Sequence, residues 1–252
     1  MPTDFFPPQL SETLREIFAS VPFSPAIIKM IGAEENITPA FLCPGEQTQL
    51  QSYKFPKRRS EFLSGRICAK LAASHYLQEH LHNLPEMEQI EICNSESGRP
   101  FLSLHPPRPF IPPEISISHS SGYAAAIAAQ HRCGIDIQKQ AKSLIKVKER
   151  YCGAREYALL TQIIKKEDEL ARLALLWAAK EAIQKTFSTK SGVVAFSGIR
   201  LQAGEEINGG CLVFSFSLPP GNKQYGQKNI RVAAVTFADY GVAVSISEKG
   251  TN

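Results

Sequence analysis

YAAAIAAQHRCGIDI, residues 123–137, is the stretch on which the fold turns. YAAAIAAQ (123–130) and CGIDIQ (133–138) each have the length and apolar content of a strand, and His131–Arg132 reads as a tight turn joining the two. A similar stretch stands downstream. IRVAAVTFADYGVAVSI (230–246) superposes on it at an offset of 107, which aligns Ala126 with Ala233 and Gly134 with Gly241. A helix followed by a strand-rich segment precedes each copy. The repeat is faint, because alternating apolar residues before a glycine are common, but it favours two similar α/β lobes over one continuous sheet.

Working outward, SEFLSGRICAKLAASHYLQEHL (60–81) carries apolar residues at helical spacing. QIEICN (89–94) reads as a strand, ESGRP as a turn, and EISIS (114–118) as a second strand. Between them, Pro100 to Pro113 holds six of the seventeen prolines, and no helix fits there. A helical region runs from Ala154 to about Phe187, broken in KKEDE (165–169). Its second half, ELARLALLWAAKEAIQKTF (169–187), is apolar on most of its circumference, which marks a core helix. IRLQ, CLVFSFSL, RVAAVTFA and GVAVSIS then follow as short strands between Gly, Pro and Asn turns.

The 252 residues suit one large domain or two small lobes at ~150 residues per domain. Glycine and proline together, 16 + 17 = 33 residues or 13%, lie far below the ~25–30% of low-complexity chains, which excludes collagenous and disordered classes. Cysteines at 43, 68, 93, 133, 152 and 211 form no Cys-x-x-Cys and no zinc-finger spacing, and read as reduced thiols of a cytoplasmic protein. MPTDFFPPQLSETL lacks the basic start and apolar run of a signal peptide, and no segment has ~18 uninterrupted apolar residues. The net charge of +4 is mild, but its distribution is uneven. Lys54, Lys57, Arg58, Arg59, Arg66 and Lys70 face one acid, Glu61, while Lys139, Lys142, Lys146, Lys148, Arg150 and Arg155 face Glu149. The first run lacks the interleaved aromatics of single-strand binders and any helix-turn-helix signature, so nucleic acid is not expected.

Four segments can carry chemistry. In the core helix, Trp177, Glu181 and Lys185 stand at i, i+4 and i+8 and share a face, either as a Glu181–Lys185 ion pair on a solvated edge or as part of a site. GIDIQ puts Asp136 and Gln138 on one face of a strand, again as surface polarity or as hard oxygen donors for Mg²⁺. SISHSSG (116–122) ends a strand in a polar loop with Ser118 and His119; without a G-x-S-x-G elbow it does not read as a serine hydrolase. Lys57, Arg58 and Arg59 stand at the mouth of a helix, where a solvated face and an anion site are equally open.

In order, these segments resemble the 4′-phosphopantetheinyl transferases: K-R-R-x-E-F-L-x-G-R, G-R-P, S-I-S-H-S, G-I-D-I and W-x-x-K-E-A-x-x-K. The similarity is to the Sfp-like two-lobed group, especially the enterobactin-synthase component D type. It runs from about Lys57 to Lys190, and RYCGAREYALL (150–160) resembles the segment before the catalytic helix. The resemblance implies transfer of phosphopantetheine from coenzyme A to a serine of an acyl or peptidyl carrier protein in the cytoplasm, leaving 3′,5′-ADP, with siderophore, polyketide or nonribosomal peptide synthesis as the setting. The alternative is a CoA- or nucleotide-binding protein of the same fold without transfer. The implied fold is α/β (α+β): two subdomains related by a pseudo-twofold axis, each a small, mainly antiparallel sheet packed with helices. Their bounds are 1–132 and 133–252, with CoA and Mg²⁺, or Mn²⁺, in the cleft. Carried over residue by residue, Asp136 and Glu181 hold the metal, Glu181 also deprotonates the acceptor serine, and Lys185 neutralises phosphate charge. Lys57, Arg58, Ser118 and His119 bind CoA phosphates, and Arg99 lies beside the adenine. Many relatives have an acid where this chain has Gln138, so this ligand is an amide or a water held by it. The partners are a carrier protein, acidic enough to suit Lys139–Arg155, and CoA, taken by a monomer with no membrane span.

Overall fold

The computed structural model describes residues 5–32, 41–80, 84–107, 109, 111–188, 194–218 and 229–248. They form two compact units. One comprises residues up to Phe6 and Val21–His131; the other comprises Pro7–Ser20 and Arg132 onward. The short helix α1 (Pro8–Ile17) is therefore part of the second unit, although it lies within residues 1–132: its buried Leu10 and Leu14 pack on that unit's sheet.

The first unit contains β1 (Phe23–Lys29), α2 (Pro44–Ser52), α3 (Pro56–His80), β2 (Ile90–Asn94), β3 (Pro100–Leu104), β4 (Glu114–Ser120) and β5 (Tyr123–Ala129). Proline opens α1, α2 and α3, which suits a first-turn position where the missing N–H is not needed. The sheet order is β1-β5-β4-β3-β2, antiparallel throughout. Helix α3 lies across it, with Leu63, Ile67 and Ala72 buried against Ala26, Ala124 and Ala126. Alanines on the sheet let the helix backbone come close.

The second unit contains β6 (Cys133–Lys139), α4 (Ser143–Lys146), α5 (Ala154–Ile163), α6 (Glu169–Phe187), β7 (Arg200–Ile207), β8 (Cys211–Ser217), β9 (Ile230–Phe237) and β10 (Tyr240–Ile246). The charged break before α6 is a cap, in which Asp168 accepts a hydrogen bond from the Ala171 N–H at 2.9 Å. The sheet order is β6-β10-β9-β8-β7, again antiparallel. This is the topology of the first unit repeated strand for strand, with α3 and α6 in corresponding places.

Two readings of residues 123–137 need correction. β5 and β6 are not a hairpin. β5 pairs with β1 and β4 in the first sheet, whereas β6 pairs with β10 in the second. The repeat also has a different register. β1 begins at Phe23 and β6 at Cys133, α2 at Pro44 and α5 at Ala154, and these two pairs share a single offset. β5 and β10, which begin at Tyr123 and Tyr240, stand slightly farther apart. The offset read from the sequence aligned β5 with β9 instead. Its glycines coincide for another reason: a Cβ on Gly134 would stand 2.0 Å from the Ala182 carbonyl oxygen, and one on Gly241 would stand 2.7 Å from the Ala174 carbonyl carbon. Both glycines make room for the same helix, α6, on adjacent strands.

Candidate functional site

In the second unit, α6 is buried along most of its length and leaves a half-buried stripe that includes Trp177, Glu181 and Lys185. Lys185 Nζ crosses to β6, donating to Asp136 Oδ1 at 2.8 Å and to the Ile135 carbonyl at 2.9 Å. Its partner is thus Asp136, and not Glu181 as a solvated ion pair along the helix would have it. Asp136 is 5% exposed. Glu181 forms no hydrogen bond or ion pair among the described residues. Burial pushes its carboxyl above the ordinary range and the neighbouring Asp136 charge adds to this, with Lys185 acting in the opposite direction. Gln138 follows Asp136 by two on the same face of β6, and its amide donates to the Lys139 carbonyl at 2.9 Å. Two neighbouring carboxylates, with one ammonium beside them, make an oxygen-rich place for a cation.

In the first unit, a second cluster gathers around Glu61, a buried acid in the second turn of α3. Arg58 Nη1 donates to it at 3.0 Å; Lys57 Nζ and His119 Nδ1 stand 3.8 and 3.9 Å away. A pocket of about 390 Å³ opens here, lined by Tyr53, Arg58, Arg66, Asn94, Gly98 and His119 among others. Lys57, whose side chain is 87% exposed, is not among its lining residues. Ser118 and His119 belong to β4 and not to a polar loop, so they point to opposite faces, and the pocket takes His119 alone. Arg99 turns aside, its Nε donating to Glu114 at 3.1 Å, while Gly98 and Pro100 on either side line the pocket.

A family model described as the 4′-phosphopantetheinyl transferase superfamily matches residues 132–228. A holo-[acyl-carrier-protein] synthase of Staphylococcus carnosus is 30% identical over 93 residues, 37% of this chain and 76% of that protein. One from Lactococcus lactis subsp. lactis is 33% identical over 100 residues, 40% of this chain and 82% of its own length. The chain belongs to the 4′-phosphopantetheinyl transferase superfamily. Among solved structures, a holo-(acyl-carrier-protein) synthase of Bacillus anthracis in complex with CoA (3′,5′-ADP) aligns with a TM-score of 0.34 and 23% identity over 42% of this chain and 92% of that one.

The superfamily match takes in the GIDI strand and the α6 motif, and stops short of the pocket around Glu61. In that pocket of this superfamily member, the residue to which sequence reasoning gave no role, although it closes the K-R-R-x-E-F-L-x-G-R motif, is Arg66. It is 6% exposed, its guanidinium lies 4.7 Å from the centre of the Phe62 ring, and its Nε has no hydrogen-bond partner among the described residues. Burial pulls its pKa down. A buried guanidinium that lines a pocket with an unmet donor has the chemistry to take an anion. The signal in the sequence was its spacing: Arg66 follows Phe62 by four and Arg58 by eight, on one face of α3.

Proposed function

We propose that this chain transfers 4′-phosphopantetheine from coenzyme A to a serine of an acyl or peptidyl carrier protein. The observation that carries the reading is the Asp136–Glu181–Lys185 cluster: a desolvated carboxylate beside a second carboxylate, with a lysine reaching both strand and acid. The donor set suits Mg²⁺, which takes hard oxygens and keeps several waters or phosphate oxygens. A site of two carboxylates suits an ion that takes much of its coordination from substrate and water. Asp136 and Glu181 would hold Mg²⁺, with Gln138 or a water it holds beside them, and the ion would neutralise pyrophosphate charge.

The serine hydroxyl attacks the phosphorus that bears the pantetheine arm. The bond from that phosphorus to the bridging oxygen breaks, and 3′,5′-ADP leaves. Glu181 accepts the hydroxyl proton, for which its raised pKa suits it as a base, and Lys185 offsets charge on the phosphate oxygens. In the first unit Arg58, Arg66 and His119 take the 3′-phosphate of CoA, with Lys57 as an outer charge, the Ser118 backbone alongside and Arg99 near the adenine. Two units of one topology in a single chain, set against relatives matched over 93–100 residues, support the Sfp-like two-lobed group, and the component D type rests on the sequence motifs alone.

For the carrier, exposed Lys142 and Lys146 flank Ile145, itself 43% exposed, and a pocket of about 530 Å³ is lined by Arg150, Arg155 and Arg200. An acidic protein with an apolar spot suits this face. Two of the cations are already engaged, Lys139 with Asp239 and Lys148 with Glu169. Among the described residues no helix is long and apolar enough to cross a membrane, and all six cysteines are free, five of them buried, which supports a reducing compartment. The test is incubation with CoA, Mg²⁺ and an apo-carrier protein, followed by intact mass. A phosphopantetheine mass gain that disappears in Glu181→Gln is expected; no gain with acyl or peptidyl carriers would overturn the reading.

A further inference from the structure

A buried ion pair occurs twice in this chain, once in each unit, at corresponding places and with corresponding partners. In the first unit Lys70 of α3, 0% exposed, meets Glu46 of α2 at 2.6 Å and donates to the Phe41 carbonyl at 2.7 Å. Glu46 accepts from the N–H of Cys43 at 3.1 Å, capping α2, and from the N–H of Ile92 on β2 at 3.0 Å. In the second unit Lys180 of α6, 1% exposed, meets Glu156 of α5 at 2.8 Å and donates to the Tyr151 carbonyl at 2.6 Å. Glu156 accepts from the N–H of Gly153 at 3.2 Å, capping α5, and from the N–H of Leu201 on β7 at 2.9 Å. Phe41 and Tyr151, Cys43 and Gly153, Glu46 and Glu156, and Lys70 and Lys180 are all separated by the offset that relates β1 to β6; Ile92 and Leu201 fall one short of it. Neither lysine belongs to a solvated basic face, although Lys70 falls within the first basic stretch of the sequence.

A buried pair of charges adds little to stability, since apolar residues of like volume often do as well. What it supplies is direction. Each lysine is tied at once to a helix cap, a loop carbonyl and, through its glutamate, a strand N–H, so the long helix can sit at one rotation only. Lys180 directly precedes Glu181, about 100° round the helix. Holding Lys180 towards α5 fixes Glu181 about 100° away, on the flank where Lys185 is tied to Asp136. Lys70 follows Arg66 by four and shares its face. We propose that each pair is a positioning device: Glu156–Lys180 sets the rotation of α6 and with it Glu181, and Glu46–Lys70 sets α3 and with it Arg66. The ligand part of this rests on the proposed roles of Glu181 and Arg66. The helix part does not, because Trp177, the chain's single tryptophan, sits one turn before Glu181 with its ring 4.9 Å from Tyr151 and 5.0 Å from Phe196.

The test pairs Lys180→Met, alone and with Glu156→Gln, against Lys70→Met, alone and with Glu46→Gln. Glu156→Gln and Glu46→Gln alone, which keep an acceptor for the caps, stand in where a lysine variant does not fold. Three readouts are taken on the full chain: Trp177 emission, Mn²⁺ binding by electron paramagnetic resonance at saturating CoA, and CoA affinity by calorimetry in EDTA. The second-unit variants should shift Trp177 emission and weaken Mn²⁺ binding at least fivefold, with CoA affinity within twofold of the parent. The first-unit variants should weaken CoA at least fivefold and leave Trp177 and Mn²⁺ unchanged. Variants that lower the melting temperature but leave all three readouts alone, or two sets that move the same readouts, overturn the proposal. If the parent binds neither CoA nor Mn²⁺, the functional reading falls. A Trp177 shift confined to the second-unit set then still upholds the setting of α6, and its absence overturns it.

Discussion

Replacing Arg66 by methionine should move binding and stability in opposite directions. In the apo protein this guanidinium is nearly wholly desolvated, with one N–H unmet among the described residues, and burial outweighs what the Glu46 charge returns, with the Phe62 face as its stacking contact. Methionine keeps the stem and the contact with the ring without the buried charge, so the apo melting temperature should hold or rise. With CoA present, a charge-assisted hydrogen bond of ~1.5–3 kcal/mol is lost. At 1.4 kcal/mol per decade that is about 10- to 150-fold in Kd. Arg58 offers a contrast, because its side chain is 63% exposed and already paired with Glu61. Exposed pairs are worth at most ~1 kcal/mol, so Arg58→Ala should cost no more than about fivefold. Calorimetry in EDTA with CoA and dephospho-CoA, together with thermal melts of the apo proteins, gives both quantities. Dephospho-CoA should hardly distinguish the variants from the parent. If Arg66→Met binds CoA within twofold of the parent, or if its apo form melts several degrees lower, Arg66 is a packing residue and the pocket lacks its anchor.

Glu181→Gln should abolish transfer and also stabilise the metal-free protein at pH 7. The folded state holds this carboxyl's proton to higher pH than the unfolded chain does, so the stability of the protonated form is lost as pH rises through the folded pKa. The gain in melting temperature over the parent should therefore vanish below about pH 4, and Mg²⁺ should stabilise the parent alone. Gln138→Glu should lower the Mg²⁺ concentration for half-maximal activity, since a carboxylate replaces an amide that now donates to the Lys139 carbonyl; an unchanged or higher value would remove position 138 from the metal. Gly134→Ala should lower the melting temperature by several degrees, because its Cβ would stand 2.0 Å from the Ala182 carbonyl oxygen and α6 would have to lift.

The sequence shows most where one residue type has one meaning. The break between α5 and α6 is legible because KKEDE is polar and contains the capping acid, Asp168. The two carboxylate positions are legible because an acid on a core helix and one on an apolar strand are both costly. Prolines mislead in both senses: Pro8, Pro44 and Pro56 open helices, and Pro100 begins β3 in a stretch where sequence reading excludes a helix and names no strand. Strand partners are hidden because β5 and β10 are buried along nearly their whole length, which erases the alternation that would fix a face. Interior cations are hidden for another reason. Glu46 and Lys70 come from different helices, and Asp136 and Lys185 from a strand and a helix with α4 and α5 between them, so nothing local separates a clamp from a solvated charge.

The shared topology has a consequence for how the chain tolerates change. At the positions that correspond to Asp136, Glu181 and Lys185 under the offset relating the two units, the first unit has Ala26, Leu71 and His75; where the first unit has Arg58 and Arg66, the second has Asp168 and Leu176. The two copies set different side chains at these positions while sharing the same frame and the same buried clamp. They are not spares for one another. Under the proposed roles, a lesion in either has no back-up in its twin.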